Sequence, residues 1–198
     1  MSDFAPTALT ESEQLVELLN QRQQVPQQVD EIDREICRRF STTCAVVVLD
    51  MANFSRLTQA VGIIATLQQI QTMRDLAIPI IEQGNGRVLK TDADNLYAQF
   101  THADAAVITM TCVRQHLHDA DIHISVGIGY GELLLVDTHD LFGHEMNLAS
   151  KLGEDLAKDD EIWLTEAAYQ ALSKSSYEFM AASETVSDVT FTSYRLLL

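Results

Sequence analysis

The chain has 198 residues, 46% of them hydrophobic, which is enough to bury the core of one domain with an extension. Its 29 acidic and 13 basic residues give a net charge of -16, which repels nucleic acid and anionic membrane surfaces and excludes both as general partners. Three widely spaced cysteines, the lack of a signal-like N-terminus and the lack of a long apolar run predict a cytoplasmic protein without direct membrane insertion.

Residues 1–41 are expected to form a helical arm that precedes the main domain at 42–198. Thr10 and Glu13 match a capping box, which opens a first helix, and Pro26 interrupts that helix. A second amphipathic helix is predicted from the spacing of Val29, Ile32, Ile36 and Phe40. Two interpretations of the arm stay open: it packs on its own domain, or it dimerises and transmits a signal.

From residue 42 onwards, strands alternate with helices. A β-branched run at 44–50 predicts a buried central strand, a helical region follows at about 63–83, and two strands at 87–91 and 95–100 form a hairpin. A helix at about 103–118 comes next. A strand at 122–130, continuing through 132–136, precedes a helix at 144–157. A strand at 161–165, a helix at 166–172 and two strands at 178–181 and 189–197 complete the prediction. This order is the split βαβ, ferredoxin-like plan of the α+β class.

Two aspartates lie where strands of this plan end. Asp50 closes the first strand and precedes the backbone amides of the next helix, which can bind phosphate oxygens. If the first strand pairs beside the hairpin, Asp50 meets Asp94 of the hairpin turn, and Mg²⁺ or Mn²⁺ relieves the repulsion of the two carboxylates. Aspartate is also common in turns for backbone reasons alone, and Asp92 competes with Asp94 as a ligand.

Four segments within residues 43–172 resemble, in order and in spacing, the motifs of the class III adenylate/guanylate cyclase homology domain. They are DMANFSRL at 50–57, RVLKTDAD at 87–94, VGIGYGE at 126–132 and DLFGHEMNLASKL at 140–152. Each segment is a weak signal alone. Four of them in the same order make a strong one, and they add a cyclase-type identity to the ferredoxin-like plan.

The resemblance implies a set of metal-binding and base-binding residues. Asp50 and Asp94, helped by the carbonyl of Met51, would hold two ions of Mg²⁺ or Mn²⁺ per site. Lys90 and Asp140 match the positions that recognise the base, and lysine with aspartate is the adenine-type combination. The implied substrate is therefore ATP, with GTP less favoured, and the products are cyclic AMP and pyrophosphate.

The remaining implied roles concern the ribose, the phosphates and the assembly. Phe54 and Ser55 lie in the substrate-binding segment, Asn147 would orient the ribose, and Lys151 falls where the family has its transition-state arginine. The resemblance also implies a head-to-tail homodimer, in which each site takes its metal acids from one chain and its base-reading residues from the other.

Several departures from the family pattern favour a second interpretation. Lys151 keeps the charge of arginine but lacks the planar fork that grips phosphate oxygens, and residues 184–189 offer no cation for a triphosphate. Asn53 and Ala93 replace usual glycines, which is tolerable where the backbone stays outside the left-handed region. The alternative is a weak or inactive cyclase-fold module that binds nucleotide or mediates dimerisation in signalling.

Overall fold

The structure is a computed structural model that describes residues 9–173, 177–186 and 189–198, apart from the side chains of Ser55, Glu184, Val186 and Val189. The strands are β1 Ser41–Met51, β2 Arg87–Asp92, β3 Asn95–Phe100, β4 Ile124–Val136, β5 Asp140–Phe142, β6 Ile162–Thr165, β7 Glu178–Val186 and β8 Val189–Leu197. The helices are α1 Glu11–Gln24, α2 Val29–Phe40, α3 Phe54–Val61, α4 Ile63–Gln83, α5 Ala103–Asp119, α6 His144–Ser150 and α7 Glu166–Gln170. Of the predicted arm at 1–41, residues 1–8 lie outside the described residues.

The described strands form one sheet in the order β2-β3-β1-β4-β6-β8-β7, with β5 paired to β4. Strand β1 lies between β3 and β4 and is antiparallel to both. Its apolar centre is completely buried, because helices cover both faces of the sheet at this point. The order β1, α4, β2, β3, α5, β4 is the ferredoxin-like α+β plan that the sequence predicts.

The N-terminal helices pack on the far end of β4. Thr10 closes the predicted capping box with Glu13 at the start of α1. Leu18 of α1 and the buried face of α2 enclose Val136, the last residue of β4. The carboxylate of Asp137 accepts hydrogen bonds from the backbone amides of Glu11 and Ser12. These contacts favour the interpretation in which the arm packs on its own domain.

Two elements of the structure were not predicted, and one predicted helix changes type along its length. The sequence analysis has no counterpart to α3, which Gly62 separates from α4 by adopting a φ of 85°. The helix predicted over 144–157 is wrong as one α-helix, because α6 ends at Ser150 and a π-helical segment, Lys151–Leu156, continues it. Strand β5 was not predicted, since three residues are too few for a periodic pattern. Among the described residues, no helix combines the length and apolar composition needed to cross a membrane.

Alternate glycines on β4 let α6 and the π-helical segment lie directly on the sheet. A Cβ on Gly127 would collide with the backbone carbonyl of Ala149, and one on Gly129 would lie 2.5 Å from the carbonyl oxygen of Glu145. A Cβ on Gly131 would instead approach only side-chain atoms, those of Glu145, at 3.0 Å. The glycine pattern of 126–132 therefore sets the position of α6.

Gly127→Ala is expected to lower the free energy of unfolding by about 3 kcal/mol, because α6 must move away from β4 to make room. Gly131→Ala is the matched control, with an expected change below about 1 kcal/mol, since a side chain can move aside. Urea unfolding of the two variants and the wild type measures the difference. Equal losses for both glycines would contradict the close packing of α6 on β4.

Candidate active site

The two predicted metal acids lie at one edge of the sheet. Asp50 stands near the end of β1, in register with Asn95 of β3 and Ser125 of β4. Asp94 lies in the turn between β2 and β3. Burial and the neighbouring charges of Asp94 and Glu154 raise the pKa of Asp50 to about 7. The carboxylates thus repel one another, and a divalent cation bound between oxygen ligands would remove that repulsion.

Electrostatic interactions distinguish Asp94 from Asp92 as the partner of Asp50. The charge of Asp94 acts on Asp50, whereas exposed Asp92 at the end of β2 bears on the hydroxyl of Tyr97. Asp94 is therefore the better placed partner of Asp50. Its turn is braced from α4 by Arg74, whose Nη2 donates to the Ala93 carbonyl at 2.6 Å.

A third carboxylate, Glu154, lies near Asp50 and Asp94, and the three together form the acidic edge of the sheet. It lies in the π-helical segment and accepts a hydrogen bond from the Tyr97 hydroxyl at 3.3 Å. Partial burial, with the charges of Asp155 and Asp94, raises the pKa of Glu154. The sequence analysis missed Glu154, Tyr97 and Arg74, because their proximity depends on how α4 and the π-helical segment pack and leaves no signal in residue spacing.

The predicted base-reading residues form an ion pair. Lys90 Nζ of β2 lies 2.8 Å from Asp140 Oδ1, at the start of β5. The same ammonium group lies 5.3 Å from the centre of the Tyr97 ring. Both charged side chains are about two-fifths exposed, so the pair adds little stability and is accessible to a ligand. Tyr97 therefore lies between this pair and Glu154 of the acidic edge.

The other predicted site residues lie on separate elements. Asn147 is exposed on α6, and half-buried Lys151 follows it by one helical turn, so the two share one side of the helix. Met51 is buried and ends β1. Phe54 begins α3 and packs against the main core, so this segment offers a phosphate its backbone amides rather than the Phe54 ring. The Ser55 side chain lies outside the described residues.

Two positions that usually carry glycine in the family adopt left-handed backbone, so the condition under which both replacements are tolerable is not met. Asn53 has a φ of 65° and Ala93 a φ of 47°. Asparagine tolerates this region well, but alanine does not, because its Cβ approaches the following carbonyl. The turn that carries Asp94 is therefore strained by Ala93.

Ala93→Gly is expected to raise the free energy of unfolding by about 1 kcal/mol, because glycine removes the Cβ clash at a positive φ. Ala120→Gly is the control: Ala120 is exposed, ends α5 at a φ of -96°, and gains nothing from glycine. Thermal or urea unfolding of both variants measures the difference. A loss of stability in Ala93→Gly would contradict the strain.

The fold and the acidic edge together define a nucleotidyl-cyclase-type catalytic domain. The profile described as the adenylate and guanylate cyclase catalytic domain matches residues 38–188, which is most of the chain. The chain therefore belongs to the adenylate and guanylate cyclase catalytic domain family. Domains of this family generally use divalent metal ions, in agreement with the oxygen ligands present at the edge of the sheet.

Solved structures with similar folds support this assignment. The adenylate/guanylate cyclase/hydrolase from Silicibacter pomeroyi superposes with a TM-score of 0.70 and 25% identity, over 80% of this chain and 98% of that one. The catalytic core of a rhodopsin-guanylyl cyclase with converted specificity, in complex with ATPαS, gives a TM-score of 0.70 and 19% identity, over 79% and 98% of the two chains. The second likeness concerns the fold alone.

A curated relative with a detectable sequence match is an uncharacterized protein of Mycobacterium tuberculosis. It is 29% identical over 115 residues, which cover 57% of this chain and 30% of that protein. The match therefore spans less than a third of the relative's length. It adds a bacterial relative but no activity, since the name of that protein states none.

Proposed function

We propose that the chain converts ATP to cyclic AMP and pyrophosphate in a head-to-tail homodimer. The observation that carries the proposal is that each chain has both parts of such a site, Asp50 beside Asp94 and the Lys90–Asp140 ion pair. An acidic edge for metal ions and a donor–acceptor pair for a base are the two parts that a nucleotide cyclase needs.

The proposed reaction joins the ribose 3′-oxygen to the α-phosphorus. The α-phosphorus–oxygen bond to pyrophosphate breaks, and the proton of the 3′-hydroxyl is released to solvent. Asp50 and Asp94 would hold two ions of Mg²⁺ or Mn²⁺, which lower the pKa of the attacking hydroxyl and neutralise the leaving pyrophosphate. Asn147 orients the ribose, and Lys151 donates to the phosphate oxygens in the transition state.

The preference for adenine is proposed from the chemistry of the ion pair. The Lys90 ammonium donates to a ring nitrogen, and the Asp140 carboxylate accepts from the exocyclic amine. Because the two groups already lie side by side at 2.8 Å, they present a donor next to an acceptor without a large rearrangement. Guanine presents a carbonyl oxygen where adenine has its amine, so it would leave the carboxylate facing an acceptor.

The dimer is proposed because the family resemblance takes the metal acids of each site from one chain and the base-reading residues from the other. Asn147 lies on α6 and Lys151 begins the π-helical segment, whereas Asp50 lies near the end of β1 and Asp94 in the turn between β2 and β3. Exposed apolar side chains also lie where α3 ends and α4 begins: Val61, Ile63, Ile64 and Leu67. Such a group of exposed apolar residues is typical of a surface that binds another chain.

A second candidate is a module that binds nucleotide without turnover. The observation that favours it is the replacement of the transition-state arginine by Lys151, together with the lack of a cation in residues 184–189. Under this hypothesis the acidic edge and the Lys90–Asp140 pair would still bind nucleotide and metal. The two candidates therefore differ in product formation and agree in nucleotide binding.

The test is incubation of the purified chain with ATP or GTP and Mn²⁺, with cyclic nucleotide measured by mass spectrometry. We expect cyclic AMP from ATP and less cyclic GMP from GTP, and we expect Lys90→Ala to reduce the rate with ATP. Lys158→Ala, which removes an exposed lysine outside the site, is the matched control. Nucleotide binding without product would favour the second candidate, and the absence of both binding and product would contradict the two together.

A further inference from the structure

A second cluster of metal-binding side chains lies apart from the candidate active site. It consists of His118 near the end of α5, His123 before β4, and Asp160 before β6. One ligand atom from each residue lies within 4.8 Å of the others. His118 and His123 precede Asp160 by 42 and 37 positions in the sequence, so only the fold brings the histidines to the aspartate.

The contacts within the cluster converge on one carboxylate. His118 Nδ1 lies 2.9 Å and His123 Nδ1 lies 2.6 Å from the same oxygen, Asp160 Oδ2. The two imidazole rings meet edge to face, with their centres 5.3 Å apart. In a tetrahedral zinc site, neighbouring ligand atoms lie about 3.3 Å apart. A small outward movement of the rings would therefore open the space that an ion occupies.

The other carboxylate oxygen of Asp160 also favours a bound cation. Asp160 Oδ1 is buried and has no hydrogen-bond partner among the described residues. A buried carboxylate oxygen without a partner is costly, and coordination of a cation satisfies it. Asp160 also adopts a left-handed φ of 65°, with its amide bonded to the Ile124 carbonyl at 2.7 Å, so its position is fixed by the backbone.

The surroundings supply negative charge and an outer partner. His123 Nε2, the ring nitrogen that would face away from the ion, lies 3.8 Å from Asp121 Oδ1. Metal-bound histidines commonly donate their second N–H to a carboxylate, and a small movement of exposed Asp121 would bring its oxygen within hydrogen-bond distance. Asp159 adds a further negative charge near His123. The nearby cation, Arg114, donates to the backbone carbonyl of Asp160 at 2.9 Å rather than to its carboxylate.

We propose that His118, His123 and Asp160 form a binding site for a transition-metal ion of the Zn²⁺ class. Two imidazoles and one carboxylate are the ligands that Zn²⁺ prefers, whereas Mg²⁺ prefers oxygen ligands alone. His118 and His123 are 47% and 36% exposed, so an ion can reach the site from solvent and water can fill the fourth position. The site is chemically distinct from the acidic edge at Asp50 and Asp94.

An ion at this site would also brace the turn that follows β1. The His123 carbonyl accepts the Ala52 amide at 3.0 Å, and the Asn53 side chain donates to Asp159 Oδ2 at 2.7 Å. The segment after Asp50 is thus attached to one proposed ligand, His123, and to the sequence neighbour of another, Asp159. Zinc binding is expected to stabilise this turn, and the binding itself does not depend on the proposed cyclase activity.

The test is a titration of the full chain with Zn²⁺ in excess Mg²⁺ at a mildly alkaline pH, because protons compete with metal ions for imidazole nitrogens. We expect one Zn²⁺ per chain by calorimetry, and a rise in the unfolding temperature. Co²⁺ should give visible absorption of a four-coordinate site. His118→Ala is expected to weaken binding by at least about 100-fold, and Asp121→Asn by about 10-fold.

The matched control is His116→Ala, which removes an exposed histidine of the same helix whose Nδ1 lies 2.9 Å from the Cys112 carbonyl. It should bind Zn²⁺ like the wild type. If the wild type binds no Zn²⁺ in excess Mg²⁺, the proposal is wrong. Equal affinity in the wild type and in folded His118→Ala would also overturn it, as would an equal loss in His116→Ala.

Discussion

Asp50→Asn is expected to reduce the formation of cyclic AMP by at least about 10³-fold, because loss of a metal ligand removes several kcal/mol of transition-state stabilisation. Asparagine has nearly the same shape as aspartate, so the fold should be retained. Initial rates with ATP and Mn²⁺ measure the effect. A variant that keeps more than about a tenth of the wild-type rate would show that Asp50 does not hold the metal ions.

Without metal, Asp50→Asn is expected to increase the stability of the fold even though it abolishes activity. Because the pKa of Asp50 is raised to about 7, the folded chain keeps a proton there that the unfolded chain loses near pH 4. The free energy of unfolding therefore falls as pH rises between these values. Asparagine does not ionise, so the free energy of unfolding of Asp50→Asn does not fall in this way. Above pH 7 the variant should be more stable than the wild type by about 1–2 kcal/mol, after discounting for partial exposure.

Mn²⁺ provides the control for this stability effect. It should raise the unfolding temperature of the wild type at mildly alkaline pH and have a smaller effect on Asp50→Asn, because the ion relieves repulsion that the asparagine has already removed. If Asp50→Asn were less stable than the wild type at high pH without metal, the raised pKa of Asp50 would be contradicted.

Mixing two inactive variants tests the division of the site between chains. In a head-to-tail dimer, Asp50→Asn and Asn147→Ala damage different halves of each site. A mixed dimer would then keep one intact site, and an equal mixture should recover about a quarter of the wild-type rate. Two copies of the same variant recover nothing. A mixture that stays inactive, although the chains exchange, would place both residues in one chain's site.

The parts of the fold that could be predicted are those with a strong local pattern. The β-branched run before Asp50 indicates a buried strand, and β1 confirms it with three more residues at its start. The capping box at Thr10 and Glu13 is confirmed atom by atom. These features are decided by hydrophobic periodicity and by contacts within one helical turn, so the sequence carries them directly.

The parts that could not be predicted depend on how elements pack. Glu154 approaches the acidic edge because a π-helical segment follows α6, and nothing in the residue spacing indicates that change of helix type. The positive φ of Ala93 was also unexpected, because alanine has no intrinsic preference for that region. In contrast, the family resemblance singled out Lys90 and Asp140 together, and the structure brings the two side chains into contact.

Lys151→Arg is expected to raise the rate of cyclic AMP formation by about 10²-fold. Lysine supplies one charge to the phosphate oxygens, whereas the planar guanidinium donates two parallel hydrogen bonds, and loss of such a transition-state donor typically costs about 10²–10³ in rate. Because the missing interaction is made in the transition state, the gain should appear in kcat with little change in KM.

Lys158→Arg is the matched control, since it makes the same chemical change at an exposed position outside the site. Its rate should equal that of the wild type. A gain in Lys151→Arg alone would mean that the acidic edge and the base-reading pair are intact, and that one side chain limits turnover. If neither variant gains activity while ATP still binds, the phosphates are held too weakly elsewhere, and the lack of a cation in residues 184–189 becomes the explanation for a non-catalytic module.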